Sequence, residues 1–159
     1  MKMITIDPKK CVACRNCELA CAFARTQETC EREESNIKVN HHIDEHVVLP
    51  MTCLHCEEAW CLKVCPAAAI SRDENTNAVV IDADRCAGCK MCMLSCPYGN
   101  IHFDHEKLVS RKCNLCNGNP KCVGHCIAGA LQYEEIDELV ARKRMRTDAK
   151  KVEEMKSEK

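Results

Sequence analysis

The chain has 159 residues, enough for one domain of ordinary size, yet aromatics make up only 3% of it while 17 residues are cysteines. Large aromatics usually carry much of a core's buried area, so burial must come from elsewhere, and the cysteines are the candidate. The formal net charge of −1 is silent about partners, and no apolar run approaches the roughly 18 residues of a membrane span.

Residues 3 to 7, MITID, predict a short strand. DPKK turns the chain into a first group, Cys11, Cys14, Cys17 and Cys21, and ELACAFART has helical character. MKMITIDPKK has no apolar h-region of a secretory signal, so a cytoplasmic location is expected. An odd cysteine total in regular C-x2-C clusters suits metal binding better than paired bridges. Cys30 stands outside every group and is read as a free, partly buried thiol. Residues 31 to 50 are a polar insertion in which NIKVN and HVVLP predict a hairpin, with His41, His42 and His46 as exposed loop histidines.

The second group is Cys53, Cys56, Cys61 and Cys65 in CLHCEEAWCLKVCP. His55 falls between two ligands and is read as a supporting or surface residue; Trp60 is read as packing that keeps water from the site. PAAAI predicts the start of a short helix, and SRDENTNAVVIDADR reads as strand, turn at Glu74 to Asn77, strand. The third group, Cys86, Cys89, Cys92 and Cys96, is followed by Pro97, and YGNIHFDHEKLVSRK repeats the plan of turn, strand and return. The fourth group is Cys113, Cys116, Cys122 and Cys126, with IAGALQY after it. The four units form an internal repeat: cysteine loop, short helix, short strand, return. From about Tyr133 the chain has no cysteine, glycine or proline. Ile136, Leu139, Val140, Val152 and Met155 give partial helical periodicity, and the last ten residues are charged enough to predict disorder.

CAGCKMCMLSCP, residues 86 to 97, is the run C-x2-C-x2-C-x3-C-P that binds [4Fe–4S] clusters. Three cysteines at three-residue steps can hold three corners of a cubane from one loop. In two-cluster proteins the fourth serves the other cluster. Sixteen ligands in four groups match four [4Fe–4S] clusters with no open iron, which suits electron transfer and not substrate binding. Zinc held by paired C-x2-C knuckles is the alternative; groups one and three, with two consecutive two-residue gaps, suit one tetrahedral ion poorly. Four cubanes would add roughly −2 apiece, taking the loaded protein to about −9, which disfavours nucleic acid as a partner. Arg15, Lys63, Arg85, Lys90, Arg111, Lys112 and Lys121 flank the groups, as local counter-charge or ordinary surface charge. No hydrolytic triad, phosphate loop or isolated carboxylate pair is present, so no catalytic site is expected.

CVACRNCELAC, CLHCEEAWCLKVCP, CAGCKMCMLSCPYG and KCNLCNGNPKCVGHC, in that order, resemble the four-cluster ferredoxin-type subunits of the dimethyl-sulfoxide-reductase iron–sulfur family. Similar small subunits serve carbon monoxide dehydrogenase, formate dehydrogenase and hydrogenlyase, tungsten aldehyde oxidoreductase and benzoyl-CoA reductase. The resemblance covers roughly residues 3 to 133. It implies an α+β fold of tandem bacterial ferredoxin-like repeats, short helices and β-hairpins around four cubanes.

It also implies a ligand swap. Cys53, Cys56 and Cys61 take Cys96, and Cys86, Cys89 and Cys92 take Cys65. Cys11, Cys14 and Cys17 take Cys126, and Cys113, Cys116 and Cys122 take Cys21. The expected organisation is a four-cluster domain over residues 1–133, its inner pair of groups within 53–97 and its outer pair joining 11–21 to 113–126. A charged helical or partly disordered tail follows over 134–159. One departure is visible: Ala22 and Ile127 stand where proline commonly follows the last cysteine. The implied function is a non-catalytic relay of single electrons. Its partner would be a catalytic oxidoreductase subunit of tungsten- or molybdenum-pterin, carbon monoxide dehydrogenase or hydrogenase type, with room for a second electron-transfer subunit. A free-standing polyferredoxin shuttle and a zinc-binding interaction module are the alternatives.

Overall fold

Where proline follows a cysteine, the preceding residue is driven out of the helical region, and this limits two of the helices. The computed structural model describes residues 1–157, without the side chains of 146, 150, 152–154, 156 and 157. Helix α3 (Met91–Ser95) stops at Cys96, which is extended at φ −80° and ψ 112° ahead of Pro97. Helix α2 (Trp60–Lys63) likewise ends short of Cys65 and Pro66, and α4 (Lys121–Gly124) is equally brief. Helix α1 (Asn16–Thr26) has Ala22 after its last cysteine, so it continues to Gln27, whose left-handed backbone caps it through an N–H bond to Phe23.

The strands form four antiparallel pairs. Three are local hairpins: β2 (Lys38–His42) with β3 (Val47–Met51), β4 (Ile70–Arg72) with β5 (Val79–Ile81), and β6 (His102–Asp104) with β7 (Val109–Arg111). The fourth pair joins β1 (Lys2–Ile6) to β8 (Leu131–Glu135), with Ile4 opposite Tyr133. The return strand of the last repeat is therefore the first strand of the chain. The three local hairpins also share a device: His46, Asn77 and Leu108 take positive φ just ahead of the return strand.

The core is thin and divided. One part gathers Ile4, Ile37, Val39, Leu115 and Leu131 around Cys17, Cys113 and Cys122. The other gathers Ala59, Ile70, Val79 and Ile101 around Cys92. The bulkiest fully buried side chains are Ile37, Leu115 and Val79, none of them aromatic.

The insertion is clamped by buried polar bonds. Glu18 is 2% exposed; its Oε1 accepts the Val39 N–H at 2.7 Å and its Oε2 accepts Arg32 Nε at 3.0 Å. Arg25 pairs with Glu34. Arg111 donates to the carbonyls of Glu33 and Glu34 and to Asn36 Oδ1.

Several expectations need correction. PAAAI does not begin a helix. It is a turn in which the Ala68 N–H bonds the Cys65 carbonyl at 3.2 Å with Ala68 at φ 46°, and Ile70 already belongs to β4. Cys30 is exposed, because the chain leaves α1 through a surface loop. Half of Trp60 is exposed. The helical tail is as expected, one helix α5 (Ile136–Ser157) that takes in the charged end to Ser157; residues 158 and 159 lie outside the described residues. Its start is pinned by the Ile136 N–H to the Met1 carbonyl at 3.1 Å and by Arg142 with Glu134 at 2.7 Å. Met155 is exposed, and the Val152 side chain is outside the described set.

Removing the Glu18 carboxylate orphans a buried amide, which costs about 1–3 kcal/mol. Glu18→Ala should lower the melting temperature by several degrees and speed amide exchange at Val39; unchanged exchange there would show that the clamp is not needed.

Candidate metal centres

In every cysteine group the residue just before the second cysteine has a left-handed backbone: Ala13 at φ 55°, His55 at 48°, Gly88 at 66° and Leu115 at 55°. Three of these carry side chains, for which that conformation costs about 1–2 kcal/mol. The kink curls each C-x2-C so that both thiols face one space. Groups one and three add a second such residue as helix cap, Arg15 at φ 61° and Lys90 at 62°. Three residues past the last cysteine of groups two, three and four lies another, Ala68, Gly99 or Gly129, whose N–H closes a turn onto that cysteine's carbonyl. The turn after Cys126 forms although Ile127 replaces the proline. After Cys21 the buried Ala22 keeps α1 helical instead.

Four cavities result, and each is bordered by four cysteines. Cys53, Cys56, Cys61 and Cys96 line one. Cys65, Cys86, Cys89 and Cys92 line the next. Cys11, Cys14, Cys17 and Cys126 line the third. Cys21, Cys113, Cys116 and Cys122 lie along the fourth, a wider groove that continues to Phe23 and Arg25. In every case three cysteines come from one loop and the fourth from another group. All seventeen cysteines are free thiols. Among the described residues no three His, Cys, Asp or Glu side chains converge on a point as ligands of a single ion; the thiols ring a space. Four thiols around a cavity are the donor set of a cubane, so the residues present fit that group.

Backbone amides aim at the sulfurs. The Ala69 N–H reaches Cys65 Sγ at 3.3 Å, His55 N–H reaches Cys53 at 3.4 Å, Leu115 N–H reaches Cys113 at 3.4 Å, Asn36 N–H reaches Cys21 at 3.4 Å and Ser110 N–H reaches Cys86 at 3.5 Å. The turn that PAAAI forms in place of a helix is what presents Ala69 to Cys65. Burial pushes the Cys17 thiol up to about 12 and Cys113 up to about 11, and it raises Cys122, Cys61 and Cys92 as well. Such thiols stay protonated until a metal displaces the proton.

Two further residues border the site, His55, read from the sequence as a supporting or surface residue, and Lys112, read as local counter-charge or surface charge. His55 is buried with its ring against the first cavity: Nδ1 accepts the Val79 N–H at 3.0 Å, and burial, then Lys112, pushes its pKa down to about 3. Lys112 is buried too. Arg15 and Lys63 pair with Glu18 and Glu58, and Lys90 Nζ sits 4.0 Å from the Phe103 ring centre.

Comparison with known proteins places this architecture. The profile of the 4Fe-4S dicluster domain matches residues 44–136, which hold groups two, three and four. This polypeptide belongs to that family. The thiosulfate reductase electron transfer subunit PhsB of Salmonella typhi is 33% identical over 147 residues, covering 83% of this chain and 74% of its own. The B subunit of anaerobic dimethyl sulfoxide reductase from Escherichia coli (strain K12) is 34% identical over 152 residues, 84% of this chain and 73% of its own. Among solved structures, the active site complex BamBC of benzoyl coenzyme A reductase, as isolated, superposes with a TM-score of 0.50 at 22% identity, over 96% of this chain and 89% of that one; this likeness concerns the fold. The dicluster-family protein is thus an iron–sulfur electron-transfer protein carrying several [4Fe–4S] clusters, as PhsB is named an electron transfer subunit. No helix among the described residues is long and apolar enough to cross a membrane.

With so thin a core, iron should hold the fold together: chelation should abolish most native far-ultraviolet circular dichroism, and a native-like spectrum without iron would contradict this. A Cβ at Gly88 would stand 2.5 Å from the Leu108 carbonyl oxygen, whereas one at Gly99, at nearly the same φ, would meet nothing within 4 Å. Gly88→Ala should therefore lose iron and melting temperature well beyond Gly99→Ala; equal losses would leave only the backbone strain that both share.

Proposed function

We propose that the sixteen cysteines hold four [4Fe–4S] clusters in the swapped sets and that the chain is the electron-transfer subunit of an oxidoreductase complex. The observation that carries the reading is that each of the four cavities borders one complete set: Cys53, Cys56, Cys61 with Cys96; Cys86, Cys89, Cys92 with Cys65; Cys11, Cys14, Cys17 with Cys126; and Cys113, Cys116, Cys122 with Cys21. When bound, such a cluster takes up and gives back single electrons.

The protein's own residues do the rest. The thiols fix position, the amides directed at Sγ favour the more negative state, and Ile4, Val39, Leu115, Val79 and Ile101 exclude water. The sets also adjoin in order. Cys17 of one and Cys122 of the next feel each other's charge, Cys113 and Cys53 do the same, and α2 packs on α3 between the last two. That order supports a row running from the Cys11 set through the Cys113 and Cys53 sets to the Cys86 set. Cysteines with no disulfide among them suit a reducing compartment, in keeping with the cytoplasm. The catalytic partner, on the pattern of the relatives' names, is a reductase or dehydrogenase subunit; the motif resemblance adds that it is of the molybdenum- or tungsten-pterin kind, or of carbon monoxide dehydrogenase or hydrogenase type.

Anaerobically purified protein should contain roughly sixteen irons and as many sulfides and should co-purify with a redox enzyme. Cys126→Ser should damage the centre of Cys11, Cys14 and Cys17. If the signal lost is instead the one removed by Cys113→Ser, the pairing is wrong.

A further inference from the structure

Two buried hydrogen-bond donors in the wall of one cavity have protons to spare. Lys112 is 6% exposed. Its Nζ donates to the Val79 carbonyl, and among the described residues no carboxylate pairs with it. An ammonium has three protons to donate, and a buried charge without a counter-ion is strongly destabilising. His55 is 3% exposed. Because its Nδ1 accepts the Val79 N–H, the ring proton is on Nε2, and that buried nitrogen has no partner. The single residue Val79 thus holds both side chains, one by its N–H and one by its carbonyl. Both line the cavity, about 280 Å³, of Cys53, Cys56, Cys61 and Cys96. Lys112 also borders the neighbouring groove of Cys21, Cys113, Cys116 and Cys122, so it stands between two sites.

We propose that Lys112 supplies the counter-charge and His55 the hydrogen bond of the Cys53/Cys56/Cys61/Cys96 centre, and that together they make it the most readily reduced of the four. This rests on the ligand sets proposed above. One-electron reduction takes a thiolate-bound cubane from about −2 to −3 and makes or breaks no covalent bond. The electron comes from a low-potential donor: dithionite in the test, the partner enzyme in service. A fixed ammonium in a dry wall stabilises the more negative state more strongly, and a hydrogen bond to the cluster acts in the same direction.

The other cations near the cavities are exposed or engaged elsewhere; Lys90, Lys107 and Lys121 are exposed. Arg111 is taken up by the carbonyls of residues 33 to 35 and by Asn36, Arg15 by Glu18 and Lys63 by Glu58. Lys112 and His55 are positioning residues for this relay.

The test is a dithionite titration of anaerobically purified, iron-replete protein followed by electron paramagnetic resonance, with Cys56→Ser to identify the signal of this centre. In the unaltered protein that signal should appear first. Lys112→Met should lower its equilibrium constant for reduction at least tenfold, about 59 mV for a one-electron couple, while Lys112→Arg holds it near the original value. His55→Ala should shift it the same way by less; Ala13 shows that alanine accepts this backbone conformation. The Cys11 and Cys86 centres should not move. An unshifted signal in iron-replete Lys112→Met, or a different centre reduced first, overturns the proposal and leaves the ligand sets standing. A Cys56→Ser protein with all four centres intact overturns both. Should Lys112→Met fail to take up iron, the order of reduction in the unaltered protein decides by itself.

Discussion

Each cavity takes three cysteines from one tight loop and a fourth from a loop elsewhere in the chain, and the rest of the fold is arranged to make that meeting happen. The borrowed cysteine travels furthest in the outer pair, where Cys11, Cys14 and Cys17 face Cys126. For that to occur the two ends of the chain must lie side by side, and they do so as β1 against β8. The inner pair needs only the span from Cys53 to Cys96, so its closure is local: one hairpin, β4–β5, separates α2 from α3. A ring of thiols has little reason to persist alone. Thiolates repel one another, and buried thiols keep their protons, as the raised pKa values of Cys17 and Cys113 show. The positive charge of iron is what turns this arrangement from a cost into a source of stability.

The same reasoning explains why conventional packing is so sparse. The chain accepts left-handed backbone at Ala13, His55 and Leu115, where side chains make it costly, and buries no large aromatic among its most enclosed residues. Four two-stranded pairs on their own are marginal in water. Strained loops of this kind persist where surrounding bonds over-determine them. The amides of His55, Ala69, Ser110 and Leu115 directed at sulfur are such bonds, and their strength depends on the charge that sulfur carries.

Much of this is legible in the sequence because ligand spacing is a local geometric code. Cys86, Cys89 and Cys92 can reach one cubane only from a tight loop, and the Cys53 to Cys96 repeat announces its hairpins through Asn77 and the apolar residues on either side. What fails is propensity. Alanines 67 to 69 look helical, yet the proline ahead of them and the need to present the Ala69 amide to Cys65 impose a turn. Burial of polar residues is hidden for another reason. Nothing in RKC distinguishes Arg111, whose donors are shared among backbone carbonyls, from Lys112, sealed beneath Val79. The anchorage of the charged tail is equally hidden, because the contacts that begin its helix, Met1 with Ile136 and Glu135, join opposite ends of the chain.

Electrostatics governs what four such sites can do together. Sites of like charge in contiguous cavities oppose one another, so adding an electron to one makes the next harder to reduce. A row of identical centres would therefore be graded only by mutual repulsion and exposure to water. A single buried cation breaks that uniformity. Set between two cavities, Lys112 is close to both, but the His55 ring lies on one side only. Val79 fixes the pair, and Val79 is itself held in β5 opposite Arg72, whose guanidinium caps the carbonyls of Cys56 and Glu57. The charge asymmetry is thus built into the same hairpin that closes the inner pair of cysteine loops. Positioning of the ligands and grading of the centres draw on one piece of backbone, so a change that loosens β4–β5 acts on both at once.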